Sequence, residues 1–262
     1  MSFRSAGFRP AVLGSALALV FALSASAVIA QDAQPETAAA ASSAAAPATA
    51  ASVAAPAPVA AADAGTDEVK PGDATAGQAK AAVCGACHGM DGNSADAQYP
   101  KLAGQSEQYM VRQLTDFKSG KRQNPIMMGM AAPLSTQDMH DLGAYFASQT
   151  ALPGVADQAL VEHGQALFRQ GDAERGIPAC MACHSIDGRG NPGAMYPQLT
   201  SQHAEYIEAT LKAWHDGTTW GDDAQAQIMP AIAQKLSAED IAALASYIEG
   251  LHAADGQSDE AP

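Results

Sequence analysis

Cys84-Gly85-Ala86-Cys87-His88 and Cys180-Met181-Ala182-Cys183-His184 are two copies of one pattern, Cys-x-x-Cys-His, and together they use every cysteine in the chain. Two thiols at this spacing can bond to the two vinyl groups of a haem, and the adjoining histidine then falls under the iron as its proximal ligand. Two patterns imply two covalently attached haem c groups, with Cys84, Cys87, Cys180 and Cys183 holding the macrocycles and His88 and His184 holding the irons. A zinc ribbon would set its two cysteine pairs roughly 15–20 residues apart around one tetrahedral site. Here a whole repeat separates them. A thioredoxin-like dithiol would sit beside a strand-helix-strand pattern and has no use for a histidine after each pair. With all four thiols assigned, none remains for a disulfide.

Such chemistry belongs outside the reducing cytoplasm, and the N-terminus agrees. Arg4 and Arg9 precede an apolar run from Ala11 to Ala30 that ends in small residues, the form of a secretory signal peptide and hence of a periplasmic protein. The run approaches the roughly 20 residues that span a bilayer, so residues 1–30 read as a signal peptide or an uncleaved anchor, and membrane association through that anchor stays open. Residues 31–71 are rich in Ala, Pro, Ser and Thr and lack aromatic residues; they read as a disordered tether with too little apolar bulk for a core.

The remainder is an internal repeat. Gly77-Gln78-Ala79 returns as Gly164-Gln165-Ala166, Asp91-Gly92 as Asp187-Gly188, Tyr99-Pro100-Lys101-Leu102 as Tyr196-Pro197-Gln198-Leu199, and Leu134-Ser135 with Asp138 as Leu236-Ser237 with Asp240. Apolar residues at three- and four-residue steps predict helices over Ser106–Phe117, Asp138–Gln149, His203–Trp214 and Glu239–Leu251, with a further helix leading into each cysteine motif. Ser135 and Ser237 are the expected N-caps. Gly77 and Gly164, inside helices where glycine costs stability, point to close crossings with Tyr145 and Phe146, or with Tyr247. The second copy carries an insertion near Gln170 to Pro178. No alternating strand pattern competes, so the fold is read as all-α. Two tandem domains, 72–152 and 153–254, each enclose one haem, and a disordered tail fills 255–262.

The sixth position of each iron separates electron carriers from catalysts. Met127 and Met229 stand at equivalent places, each seven residues before its leucine (Leu134, Leu236), on what reads as a loop before the last helix. Thioether sulfur ligates haem iron, although methionine is more often core filler than a ligand. His140, His203 and His215 compete, with His140 better suited to a solvated first turn.

Residues 72–252 resemble the dihaem cytochrome c4 family of bacterial electron carriers. The resemblance is carried by both cysteine motifs, by Pro100-Lys101-Leu102-Ala103-Gly104-Gln105, by Leu134-Ser135 running into Ala144-Tyr145-Phe146, and by Ile228-Met229, Lys235-Leu236-Ser237 and Ser246-Tyr247-Ile248. It implies a small helical cytochrome c fold in each half and His/Met iron with sulfur from Met127 and Met229. It also implies that the carbonyls of Pro100 and Pro197 accept the ring N–H of each proximal histidine. The long Ala/Pro tether is not part of that pattern. The function implied is a one-electron carrier, not an enzyme, moving charge from a quinol-cytochrome c reductase toward a terminal oxidase. A dihaem peroxidase with one open iron and a tethered subunit of a larger oxidoreductase are the rival readings.

The chain carries a formal charge of −14, which disfavours nucleic acid as a partner. Residues 71–152 hold six Lys/Arg against seven Asp/Glu, a net −1, and residues 153–252 hold five against thirteen, a net −8. Arg112, Lys118, Lys121 and Arg122 cluster near the segment leading to Met127, and the expectation is that this patch steers an acidic partner toward the first haem.

Overall fold

Each repeat winds into five helices in this computed structural model, which describes residues 69–252. The expected leader (1–30), the tail (255–262) and all but the last three residues of the expected tether lie outside the described residues. The first repeat contains α1 (Ala74–Lys80), α2 (Ala82–His88), α3 (Glu107–Ser119), α4 (Pro125–Ala131) and α5 (Thr136–Ala147). The second contains α6 (Gln158–Gln170), α7 (Met181–His184), α8 (Ala204–His215), α9 (Ile228–Ala233) and α10 (Ala238–Gly250), with one 3-10 turn at Pro192–Ala194. Among the described residues there is no strand, only two isolated antiparallel bridges. The all-α reading therefore holds.

α3, α5, α8 and α10 begin and end within two residues of the spans that periodicity predicts. α4 and α9 are a correction: the segments bearing Met127 and Met229 are short helices, not loops. Their prolines explain both the misreading and the outcome. Pro125 is the first residue of α4 and Pro230 the third of α9, positions whose N–H has no intrahelical acceptor, so its loss costs nothing. Asn124 caps α4 by accepting the Met127 N–H at 3.0 Å.

The last helix of each repeat starts from a reciprocal capping box. The Ser135 hydroxyl accepts the Asp138 N–H while the Asp138 carboxylate accepts the Ser135 N–H, and Ser237 and Asp240 do the same. Two orphan donors are satisfied at each start. The box carboxylates are then paired across the fold, Asp138 with Lys80 of α1 at 2.6 Å and Asp240 with Arg175 at 2.6 Å and His163 at 2.8 Å. Arg175 comes from the insertion, which folds into a loop closed by the Asp172–Ile177 bridge and so delivers to the second repeat the cation that Lys80 supplies in the first.

α1 crosses α5, and α6 crosses α10, at the two helical glycines. A Cβ on Gly77 would overlap the Asp141 carbonyl and crowd Tyr145; one on Gly164 would overlap the Ala243 carbonyl and crowd Tyr247. Glycine stands there because backbone meets backbone. Around these crossings the second repeat buries Phe168, Leu244, Ile248 and their neighbours in one cluster. The first repeat has two smaller clusters, one around Leu142 and Phe146 and one around Leu114 and Phe117. Leu114, Phe117, Leu142 and Phe146 all line a cavity, as do Leu211, Leu244 and Ile248 of the second repeat.

The two repeats belong to one compact unit. After α8 the chain from Asp216 to Gln227 is longer than its counterpart after α3, and it reaches across to the first repeat. Asp223 receives Arg112 at 3.0 Å, and the Gln225 side-chain oxygen receives the same guanidinium at 2.6 Å. Trp220 lies over Arg122, with the guanidinium carbon 3.4 Å from the ring centroid.

Candidate haem sites

α2 and α7 end on the two motif histidines, and each ring is fixed by a turn that follows in sequence. His88 Nδ1 lies 2.8 Å from the Pro100 carbonyl, and His184 Nδ1 lies 2.9 Å from the Pro197 carbonyl. A carbonyl can only accept, so Nδ1 carries the proton in both rings and Nε2 is left with its lone pair for a metal. Both rings are buried. Burial pushes each imidazole below its usual value against the weaker upward pull of the proline carbonyl, so both are neutral at physiological pH, the form that ligates iron. Tyr99 and Tyr196 flank the rings at 6.1 and 6.2 Å between centroids.

The thiols share this environment. All four are half-buried and unpaired, and burial raises Cys84 and pushes Cys180 up to about 11. Among the described residues no three His, Cys, Asp or Glu side chains gather as a metal cage. The donor set at each motif is one imidazole and two thiols, which suits a covalently held macrocycle and leaves a tetrahedral ion short of ligands.

One continuous cavity of about 490 Å³ runs past both motifs. Cys84, Cys87 and His88 line it from the first repeat and Cys180, Cys183 and His184 from the second. Met127 of α4 and Met229 of α9 also stand in its wall, as does Met130, whereas Met128 does not. The competing histidines are engaged elsewhere. His140 pairs with Glu107 at 2.6 Å, His203 Nε2 lies 2.9 Å from the Ser94 carbonyl, and His215 pairs with its neighbour Asp216. None of the three lines the cavity.

The cavity fits flat, mainly apolar groups with polar edges. Its walls are largely aliphatic and aromatic, and one wall residue, Trp214, has a buried Nε1–H with no partner in the protein. Such a donor is costly to leave unpaired, and a carboxylate of a bound haem would be a suitable acceptor. Sequence reading missed Trp214, because a tryptophan late in an amphipathic helix looks like core. It also missed the polar seam beside it, where Arg122 donates to the Gln113 side chain at 2.6 Å and to the Tyr206 hydroxyl at 3.0 Å. Burial raises the Tyr109 hydroxyl far above its usual value. Tyr109 and Tyr206 occupy equivalent places in the repeats, a signal the alignment of the two copies does contain.

The cations of the expected steering patch also make contacts within the protein. Arg112 is spent on Asp223 and Gln225, Lys121 on Asp222 at 3.6 Å, Lys118 on the Leu134 carbonyl, and Arg122 is stacked beneath Trp220. The acidic loop of the second repeat, distant in sequence, supplies carboxylates to two cations of that cluster, Arg112 and Lys121.

The family model for cytochrome c matches residues 74–150 and again 161–252. Cytochrome c4 of Pseudomonas aeruginosa is 53% identical over 181 residues, covering 69% of this chain and 90% of that protein. The solved structure of reduced recombinant cytochrome c4 from Pseudomonas stutzeri superposes with a TM-score of 0.66 at 48% identity, over 69% of this chain and 100% of that one. This chain belongs to the dihaem cytochrome c4 family. A thiosulfate dehydrogenase electron acceptor of Thiomonas intermedia is 41% identical over 187 residues, covering 64% of this chain and 84% of that protein.

As a cytochrome c4 it carries two haem c groups, one on Cys84 and Cys87 and the other on Cys180 and Cys183, and it is an electron-transfer protein. The shared cavity gives that family membership a physical form. The residues that would hold each haem, Cys84, Cys87 and His88 in one repeat and Cys180, Cys183 and His184 in the other, line the same cavity.

Proposed function

We propose that this protein is a periplasmic one-electron carrier and not an enzyme, with each iron closed by histidine on one side and methionine on the other. His88 and His184 serve as proximal ligands, Met127 and Met229 as the sulfur ligands, and Pro100 and Pro197 as the carbonyls that orient the imidazoles. The observation that carries this reading is the paired placement of Met127 and Met229. They lie in equivalent helices, and both face the cavity that holds the cysteines. Haem supplies a reversible one-electron couple, and a neutral thioether ligand favours the reduced state. The residues of the chain do the rest: they hold the rings, exclude water from the irons and leave no coordination site for substrate.

The partners we infer are a quinol-cytochrome c reductase as donor and a terminal oxidase as acceptor. The thiosulfate dehydrogenase electron acceptor among the relatives favours a second donor, an enzyme that oxidises thiosulfate. Among the described residues no helix is long and apolar enough to cross a membrane, so any attachment would rest on the N-terminal segment.

Carbon monoxide tests the closed irons. The reduced holoprotein is expected to bind none on the timescale of mixing while still passing electrons rapidly to a soluble acceptor. Rapid uptake at either haem, or turnover of peroxide, would replace the carrier with a catalytic dihaem protein.

A further inference from the structure

Two glutamines at equivalent positions join the repeats, and each grips the amide that holds the other repeat's histidine. Gln202 Oε1 accepts the Lys101 N–H at 2.8 Å, and its Nε2 donates to the Lys101 carbonyl at 2.9 Å. In mirror fashion Gln105 Oε1 accepts the Gln198 N–H at 3.0 Å, and its Nε2 donates to the Gln198 carbonyl at 3.1 Å. Both glutamines are 7% exposed, and each Oε1 also takes the N–H of the next residue of its own chain, Ser106 or His203, at 3.1 Å. Both polar atoms of each side-chain amide therefore have partners, and the amide's orientation is fixed by donors on one side and an acceptor on the other.

The Lys101 N–H belongs to the same peptide unit as the Pro100 carbonyl, and that carbonyl accepts from His88 at 2.8 Å. Likewise the Gln198 N–H belongs to the peptide unit of the Pro197 carbonyl, which accepts from His184 at 2.9 Å. Hydrogen bonds in series through one amide polarise each other. Withdrawing the N–H proton toward Gln202 makes the Pro100 oxygen more negative, strengthens its pull on the His88 ring proton and makes Nε2 a better electron donor.

We propose that Gln105 and Gln202 are positioning residues that set the reduction potential across the domain boundary. Gln202 of the second repeat tunes the haem on Cys84 and Cys87, and Gln105 of the first repeat tunes the haem on Cys180 and Cys183. The inference rests on the histidine ligation proposed above. It gives the boundary between the repeats a task beyond adhesion: separating the domains removes a polarising contact from both irons at once.

The test is a redox titration of Gln202→Met and Gln105→Met holoproteins, followed by the haem-methyl NMR signals that distinguish the two haems. Gln202→Met is expected to make the first haem easier to reduce, changing its oxidised-to-reduced ratio at a fixed potential by roughly twofold, and to leave the second unmoved. Gln105→Met is expected to give the reverse assignment. Equal shifts of both haems in both variants, a shift only of the haem in the substituted repeat, or no shift would overturn the proposal. Should either variant fail to fold, isotope-labelled wild-type protein gives the answer. A scalar coupling between the Lys101 nitrogen and the Gln202 side-chain carbonyl carbon is expected, and its absence would overturn the relay. Retention of the sulfur-to-iron absorption band in the variants shows that ligation is intact, so failure of the relay and failure of the ligation are told apart.

Discussion

At the scale of single residues, the chemistry that could be read from the chain is the chemistry that fixes spacing. Covalent attachment demands two thiols and a histidine within five positions, so the Cys84–His88 and Cys180–His184 segments announce themselves. The sixth ligand has no such constraint. Met127 and Met229 emerge from the comparison of two copies, and the structure adds that His140, His203 and His215 have other partners. Met229→Ala is therefore expected to open one iron only. The reduced variant should bind carbon monoxide at the second haem, the potential of that haem should fall with loss of the thioether, and the first haem should keep its spectrum. A variant that stays closed at both irons would remove Met229 from the ligand set. Gln105 and Gln202 were illegible for the opposite reason: a glutamine after Ala-Gly or Thr-Ser reads as surface polarity until the fold brings it against another backbone.

Among elements, periodicity recovered the long helices because each buries one face, and it missed α4 and α9 because six or seven residues rich in Pro and Met offer too few turns to show a period. The capping boxes were legible as Ser with Asp three residues on; their cross-fold cations were not, since Lys80 and Arg175 lie on other elements. Those cations govern acid stability. The Lys80 ammonium, with help from the Ser135 hydroxyl, holds the Asp138 carboxyl down to about 2 from an ordinary 3.8. Asp240 is desolvated by burial, yet Arg175, Ser237 and His163 hold it well below the same value. Groups with depressed folded values stabilise the fold above their unfolded value and lose that contribution as pH falls through the folded one. The holoprotein's thermal midpoint is thus expected to be flat from about pH 7 to 5 and to drop between about pH 4 and 2. Asp138→Asn and Asp240→Asn should each blunt the drop, and an unchanged profile in both would assign acid lability elsewhere. Separately, Ser237→Ala removes an N-cap and should cost about 1 kcal/mol in denaturant unfolding, whereas Gly164→Ala forces α6 and α10 apart and should cost about 1–3 kcal/mol.

For the whole molecule, the tandem repeat and its acidic second half could be counted from the sequence, but where charge meets charge could not. Arg112 and Lys121 of the first repeat's basic cluster reach carboxylates of the loop from Asp216 to Gln227, so part of that cluster serves the boundary between the repeats. Asp222→Asn combined with Asp223→Asn is expected to free Arg112 and Lys121 and to steepen the ionic-strength dependence of association with an acidic redox partner in stopped-flow; an unchanged slope would mean the pairs do not persist in solution. The same boundary leaves both motifs on one continuous cavity. The proposed carrier role depends on both irons being closed by sulfur. The most direct measurement is the sulfur-to-iron charge-transfer absorption of the purified ferric holoprotein, integrated against its haem content. The expected result is one such band equivalent per haem, two per chain; an intensity matching one haem or none would contradict the account.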